Sequence, residues 1–98
     1  VNPKPAGPAA PQNLTAVGDS DRIELEWNAN TEPDLAGYRI FRGTISGGPY
    51  SQIAQVGLVT SYRNEDIEGR FFYRIKAFTT SGQESPFSNE ASAEALGD

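Results

Sequence analysis

With 98 residues the chain has room for one domain with a single core, and little beside it for a catalytic pocket. It carries neither cysteine nor histidine, which excludes disulfides, thiolate metal sites and the commonest general base. A formal net charge of −5 argues against nucleic acid or an anionic membrane surface as partner, since both reward a basic patch.

Residues 1–10 place Pro3, Pro5 and Pro8 among alanines, a composition that cannot bury a face and reads as a semi-rigid linker. The N-terminus shows neither a signal-peptide pattern nor an initiator methionine, so a processed or excised piece of a longer polypeptide is expected. No apolar run approaches the roughly 20 residues that cross a bilayer, and membrane insertion is not expected.

The domain is expected over residues 11–98. Leu14 and Ala16 alternate in a first strand, Gly18-Asp19-Ser20-Asp21 supplies turn residues, and Ile23-Glu24-Leu25-Glu26-Trp27 alternates apolar with acidic in a half-buried second strand. Asn28 to Gly37 reads as a long connection that crosses between sheets, with a single helical turn around Asp34-Leu35-Ala36 as the one hint of another periodicity. Tyr38 to Arg42 is the third strand, Gly43 to Pro49 a loop, Tyr50 to Val56 a weaker strand and Ser61-Tyr62-Arg63 a short fifth one. Phe71 to Thr79 is the longest strand, and Ser88 to Ala95 the last, with Pro86 near its start where an edge strand tolerates it. About seven short strands with turn signals every 8 to 12 residues give an all-β, immunoglobulin-like sandwich of antiparallel strands in two sheets.

Alternation along the third and sixth strands sorts their side chains. Tyr38, Ile40, Phe71, Tyr73, Ile75 and Ala77 fall on the inward face. Arg39, Phe41, Phe72, Arg74, Lys76 and Phe78 fall outward, three aromatics and three cations on one sheet surface, a density unusual for solvent-facing positions. Two readings compete for it: cross-strand pairs whose basic stems cover the rings and support the sheet, or a face that stacks on sugars or docks a neighbouring domain.

Other residues invite chemistry less convincingly. Trp27 alternates with Ile23 and Leu25 and belongs to the core rather than to a sugar site. Asp19, Asp21, Asp34, Glu65, Asp66 and Glu68 lack the spacing of a calcium loop. Glu24 and Glu26 sit on the solvent side of a strand with no pocket implied. Asn13-Leu14-Thr15 is formally a glycosylation sequon. No phosphate-cradling glycine loop occurs, because Gly43 to Gly48 has neither the lysine nor the following helix. No cofactor, metal or catalytic role is assigned.

The segments Pro11-Gln12-Asn13-Leu14-Thr15-Ala16, Leu25-Glu26-Trp27, Asp34 to Arg42, Tyr73-Arg74-Ile75-Lys76-Ala77 and Gly82-Gln83-Glu84-Ser85-Pro86-Phe87-Ser88 together resemble a fibronectin type III domain. The wording is closest to modules of bacterial secreted or surface proteins, including carbohydrate-degrading enzymes. The resemblance covers Pro11 to about Ala95 and implies strands A, B and E in one sheet, facing C, C′, F and G in the other. It also implies a non-catalytic spacer or docking module of a secreted or cell-surface protein, with neighbouring domains of the same polypeptide as partners. Binding of polysaccharide or protein through the outward face is the alternative, and the isolated domain is expected to be monomeric.

Two departures from the family matter. Its usual corner tyrosine is here Phe71, so the corner loses a hydrogen bond worth about 1 kcal/mol unless another group replaces it, and Phe71→Tyr is expected to stabilise. The loop that carries Arg-Gly-Asp in integrin-binding members reads Ser81-Gly82-Gln83-Glu84, which removes support for integrin-type adhesion.

Overall fold

The structure, a computed structural model, describes residues 7–97. Seven strands form in chain order: β1 Thr15–Gly18, β2 Arg22–Glu26, β3 Leu35–Gly43, β4 Ser51–Val56, β5 Ser61–Glu65, β6 Gly69–Thr79 and β7 Ala91–Ala95. They build two antiparallel sheets, ordered β1-β2-β5 and β4-β3-β6-β7, the sandwich expected from the sequence. Leu35 and Ala36 belong to β3 rather than to a helical turn, and a register irregularity between Leu35 and Gly37 absorbs the misfit.

The core lies where the alternation puts it. Leu14, Ile23, Leu25 and Trp27 from one sheet meet Tyr38, Ile40, Tyr73, Ile75 and Ala77 from the other, all buried. Phe71 packs at the rim of this cluster, half-buried. Trp27 meets the Tyr38 ring edge-on with centroids 5.3 Å apart, a favoured aromatic arrangement.

Near the corner that lacks its hydroxyl, a different tyrosine bonds across the sandwich. Tyr73, fully buried, donates its hydroxyl hydrogen to Asn64 Oδ1 on the opposite sheet at 2.8 Å. The same oxygen accepts from Arg42 Nη1 at 3.0 Å, while the Arg42 guanidinium lies over the Phe71 ring, 4.5 Å from its centroid. Phe71 therefore serves as a platform for the cation, while the Tyr73 hydroxyl ties β6 to β5. Burial pushes the Tyr73 hydroxyl up to about 12.

β6 outruns its neighbour. β7 pairs only with Gly69 to Tyr73, which leaves the backbone of Ile75 and Ala77 beside the irregular segment Glu84 to Glu90. Proline at position 86 cannot donate to a ladder, and two serines do the pairing instead. The Ile75 N–H donates to Ser88 Oγ at 2.9 Å and the Ser88 N–H returns a bond to the Ile75 carbonyl at 2.8 Å. Ser85 repeats the arrangement on Ala77, at 2.8 and 2.9 Å. Both serines are buried.

The chain enters and leaves the sandwich at opposite ends. Gly7 lies against Gln83 and Glu84, just past the end of β6, whereas Gly97 lies against Glu68, just before β6 begins. The Leu96 and Gly97 N–H groups donate to the carbonyls of Asp19 and Ser20 in the β1–β2 turn. The 11 residues of β6, at about 3.3 Å each, separate the two ends by roughly 35 Å.

Ser88→Ala and Ser85→Ala should each leave a buried N–H unpaired and cost about 1–3 kcal/mol in urea unfolding; exposed Ser92→Ala should change stability by less than about 0.5 kcal/mol. For Tyr73, the unfolded chain gives up the hydroxyl proton near the ordinary value of about 10 and the folded one only near about 12. Stability should hold below pH 10 and fall as the pH rises between those values, and Tyr73→Phe should flatten that fall while costing about 1 kcal/mol at neutral pH.

Candidate interaction face

The outward residues of β3 and β6 are brought together by register. Arg39 pairs with Lys76, Phe41 with Arg74, Gly37 with Phe78 and Gly43 with Phe72. Gly37 is required where it stands, since a Cβ there would lie 2.1 Å from the Val56 carbonyl oxygen and 3.2 Å from the Phe78 ring.

Arg39 opposite Lys76 is a like-charge cross-strand pair, a destabilising arrangement by itself. Glu84 relieves it. One carboxylate oxygen meets Arg39 Nη1 at 2.5 Å and the other meets Lys76 Nζ at 3.5 Å, so a single anion from the β6–β7 loop serves both cations. Arg39 also donates from Nε to Gln55 at 3.0 Å, and the side chains of Arg39 and Lys76 are each only 24% exposed. The Arg39 bond, followed by Lys76, holds the Glu84 carboxyl below the ordinary carboxylate range.

The rings are covered by these cations. Arg39 lies over Phe78 at 4.3 Å from the centroid, and Lys76 lies 5.5 Å from Phe41 and 4.6 Å from Phe87. Arg74 lies 5.4 Å from Tyr50 and 5.8 Å from Phe87. Phe87 meets Phe41 edge-on at 5.1 Å and Tyr50 at 5.5 Å. It reaches this position because Ser85 and Ser88 pin the backbone on either side of it.

Of the six residues read from the sequence, Arg39, Phe41, Arg74, Lys76 and Phe78 join this cluster. Phe72 stands apart, half-buried between Gly43 and Ser92 in the register, and makes no aromatic or cation–π contact among the described residues. Four further members were missed: Tyr50, Glu84, Phe87 and Glu90. Phe87 lies in the Ser85-Pro86-Phe87-Ser88 motif and Glu84 directly precedes it, in a backbone shape that alternation does not describe, while Tyr50 and Glu90 carry no signal in the sequence. Glu90 anchors the β3–β4 loop, accepting from the Tyr50 hydroxyl, from the Gly47 N–H at 2.8 Å and from Ser46 Oγ at 2.7 Å. The Tyr50 bond first, then the Gly47 N–H and Ser46, hold its carboxyl below the ordinary range. Arg74 Nε in turn donates to the Tyr50 hydroxyl at 3.1 Å.

Of the six acids weighed for calcium, Asp19, Asp21 and Glu65 stand in ion pairs. Arg22 contacts Asp19 at 3.3 Å, Asp21 at 3.8 Å and Glu24 at 3.1 Å, and Arg63 contacts Glu24 and Glu65.

No family model matches the chain. A solved structure described as an Fn3-like protein from Clostridium thermocellum superposes with a TM-score of 0.78 at 34% identity, covering 88% of this chain and 91% of that one. Among curated proteins, an alpha-amylase of Niallia circulans is 36% identical over 95 residues, or 93% of this chain. An amylopullulanase of Thermoanaerobacterium thermosulfurigenes is 30% identical over 88 residues, or 88% of this chain. The chain spans only 7% and 5% of the length of these two relatives.

Glu84 and Glu90 hold their protons less tightly folded than unfolded. Stability should therefore be full above the ordinary carboxylate range and fall as the pH drops through it toward the lowered folded values. Thermal melts from pH 7 to pH 2 should show that fall, and Glu84→Gln with Glu90→Gln should make it shallower.

Proposed function

Since the chain belongs to the fibronectin type III family, we propose that it is a non-catalytic module that spaces and orients neighbouring domains of a larger secreted or surface protein. The observation that carries the reading is where the described residues begin and end: Gly7 beside the loop after β6 and Gly97 beside the residue before it. A domain entered at one pole and left at the other holds its neighbours apart along its strands. The similarity to short segments of far longer enzymes, at 5% and 7% of their length, supports a setting among other domains.

The alternative is a module that binds polysaccharide or protein through the face of β3 and β6. The names of the relatives, amylopullulanase and alpha-amylase, favour it. The geometry favours the spacer, because a sugar ring stacks on an open aromatic face and here cations lie over Phe41, Phe78, Tyr50 and Phe87. With its cations bonded to Glu84, Gln55 and the Ser88 carbonyl, the face satisfies itself.

Inserted between two fluorescent reporter domains, the chain should lengthen their separation by roughly 35 Å, the span of β6. Incubated with insoluble starch or pullulan, it should show no retention. A negligible change in separation together with retention on either glucan would reverse the assignment.

A further inference from the structure

Residues 7–9, inside the stretch whose composition reads as linker, lie against the sandwich, Ala9 through its backbone groups. Gly7 adopts φ +94° and approaches the β6–β7 loop so closely that a Cβ would stand 3.3 Å from the Glu84 carbonyl oxygen. Pro8 is buried. Ala9 is gripped on both of its backbone polar groups: its N–H donates to Glu32 Oε2 at 2.8 Å and its carbonyl accepts from Asn30 Nδ2 at 2.6 Å. Three residues on, the Gln12 carbonyl accepts from the Asn28 N–H at 2.9 Å.

The two gripping side chains come from the β2–β3 connection, which is itself anchored to the core. The Asn30 N–H donates to the Tyr38 hydroxyl at 2.8 Å, and Tyr38 is 1% exposed and packed against Trp27. The connection is thus a fixed jaw. A carboxylate that accepts a backbone N–H makes a charge-assisted bond, stronger than a neutral one, and the Ala9 N–H is the leading cause that holds the Glu32 carboxyl below its ordinary range.

We propose that residues 7–10 are a strap integral to the module, and that Glu32 and Asn30 are positioning residues that fix the direction in which the chain enters the sandwich. The linker expected over residues 1–10 then does not include residues 7–10. The strap rests on contacts within this chain, so it stands or falls separately from the spacer reading, which the reporter distance tests.

Amide hydrogen exchange and 15N relaxation on the 98-residue chain decide the matter. Ala9 should be protected, with an order parameter near the rigid value of about 0.85. Glu32→Ala should speed its exchange at least about tenfold, the scale of one hydrogen bond to a charged group, and lower its order parameter toward about 0.6. Asn30→Ala should loosen Ala9 as well, while the Ile75 amide keeps its protection in both variants and reports an intact fold. An unprotected, mobile Ala9 in the unsubstituted chain overturns the strap whether or not either variant folds, as does a Glu32→Ala chain in which Ala9 exchanges as before.

Discussion

The pairing of β3 with β6 is the interaction on which the rest depends. Their antiparallel register sets Ile40 opposite Ile75 and Tyr38 opposite Ala77 on the inward side, and Arg39 opposite Lys76 and Phe41 opposite Arg74 on the outward side. A one-residue slip of β6 would turn Arg74 and Lys76 inward and Ile75 and Ala77 outward. The core and the surface cluster are therefore two consequences of one register, and neither can change without the other.

That register creates an electrostatic problem and the loops solve it. Arg39 and Lys76 repel across the strands, and Glu84 is delivered between them by a loop whose course is set by Ser85 and Ser88. Phe87 arrives by the same route and closes the cluster over Phe41 and Tyr50. The outcome is a polar and aromatic surface whose charges and rings find their partners within the chain.

Much of this was legible in the sequence. Period-two alternation through Ile23 to Trp27, Tyr38 to Arg42 and Phe71 to Phe78 suffices to name the core side, because the pleat leaves a strand no other choice. Five of the six outward residues meet for the same reason. Phe72 does not, since its cross-strand neighbour is Gly43, which offers no side chain to share. Glu84, Glu90 and Phe87 stayed hidden because their roles depend on the path of the chain through Pro86 and on long-range contacts. The use of Phe71 in place of a corner tyrosine is not legible in the sequence, because it depends on long-range contacts: Arg42 lies over its ring, and Arg42 and Tyr73 both donate to Asn64 Oδ1.

The serine-held segment beside β6 also satisfies backbone groups that an added strand would need. A long strand with unpaired backbone groups is a template on which another chain can add a strand, and natural sheets blunt such edges with proline, bulges and short edge strands. Here β7 stops at five residues, the two hydroxyls take up the amides of Ile75 and Ala77, and Pro86 offers no N–H to a newcomer. The motif that positions Phe87 thus also leaves the Ile75 and Ala77 amides already bonded and not free for an added strand.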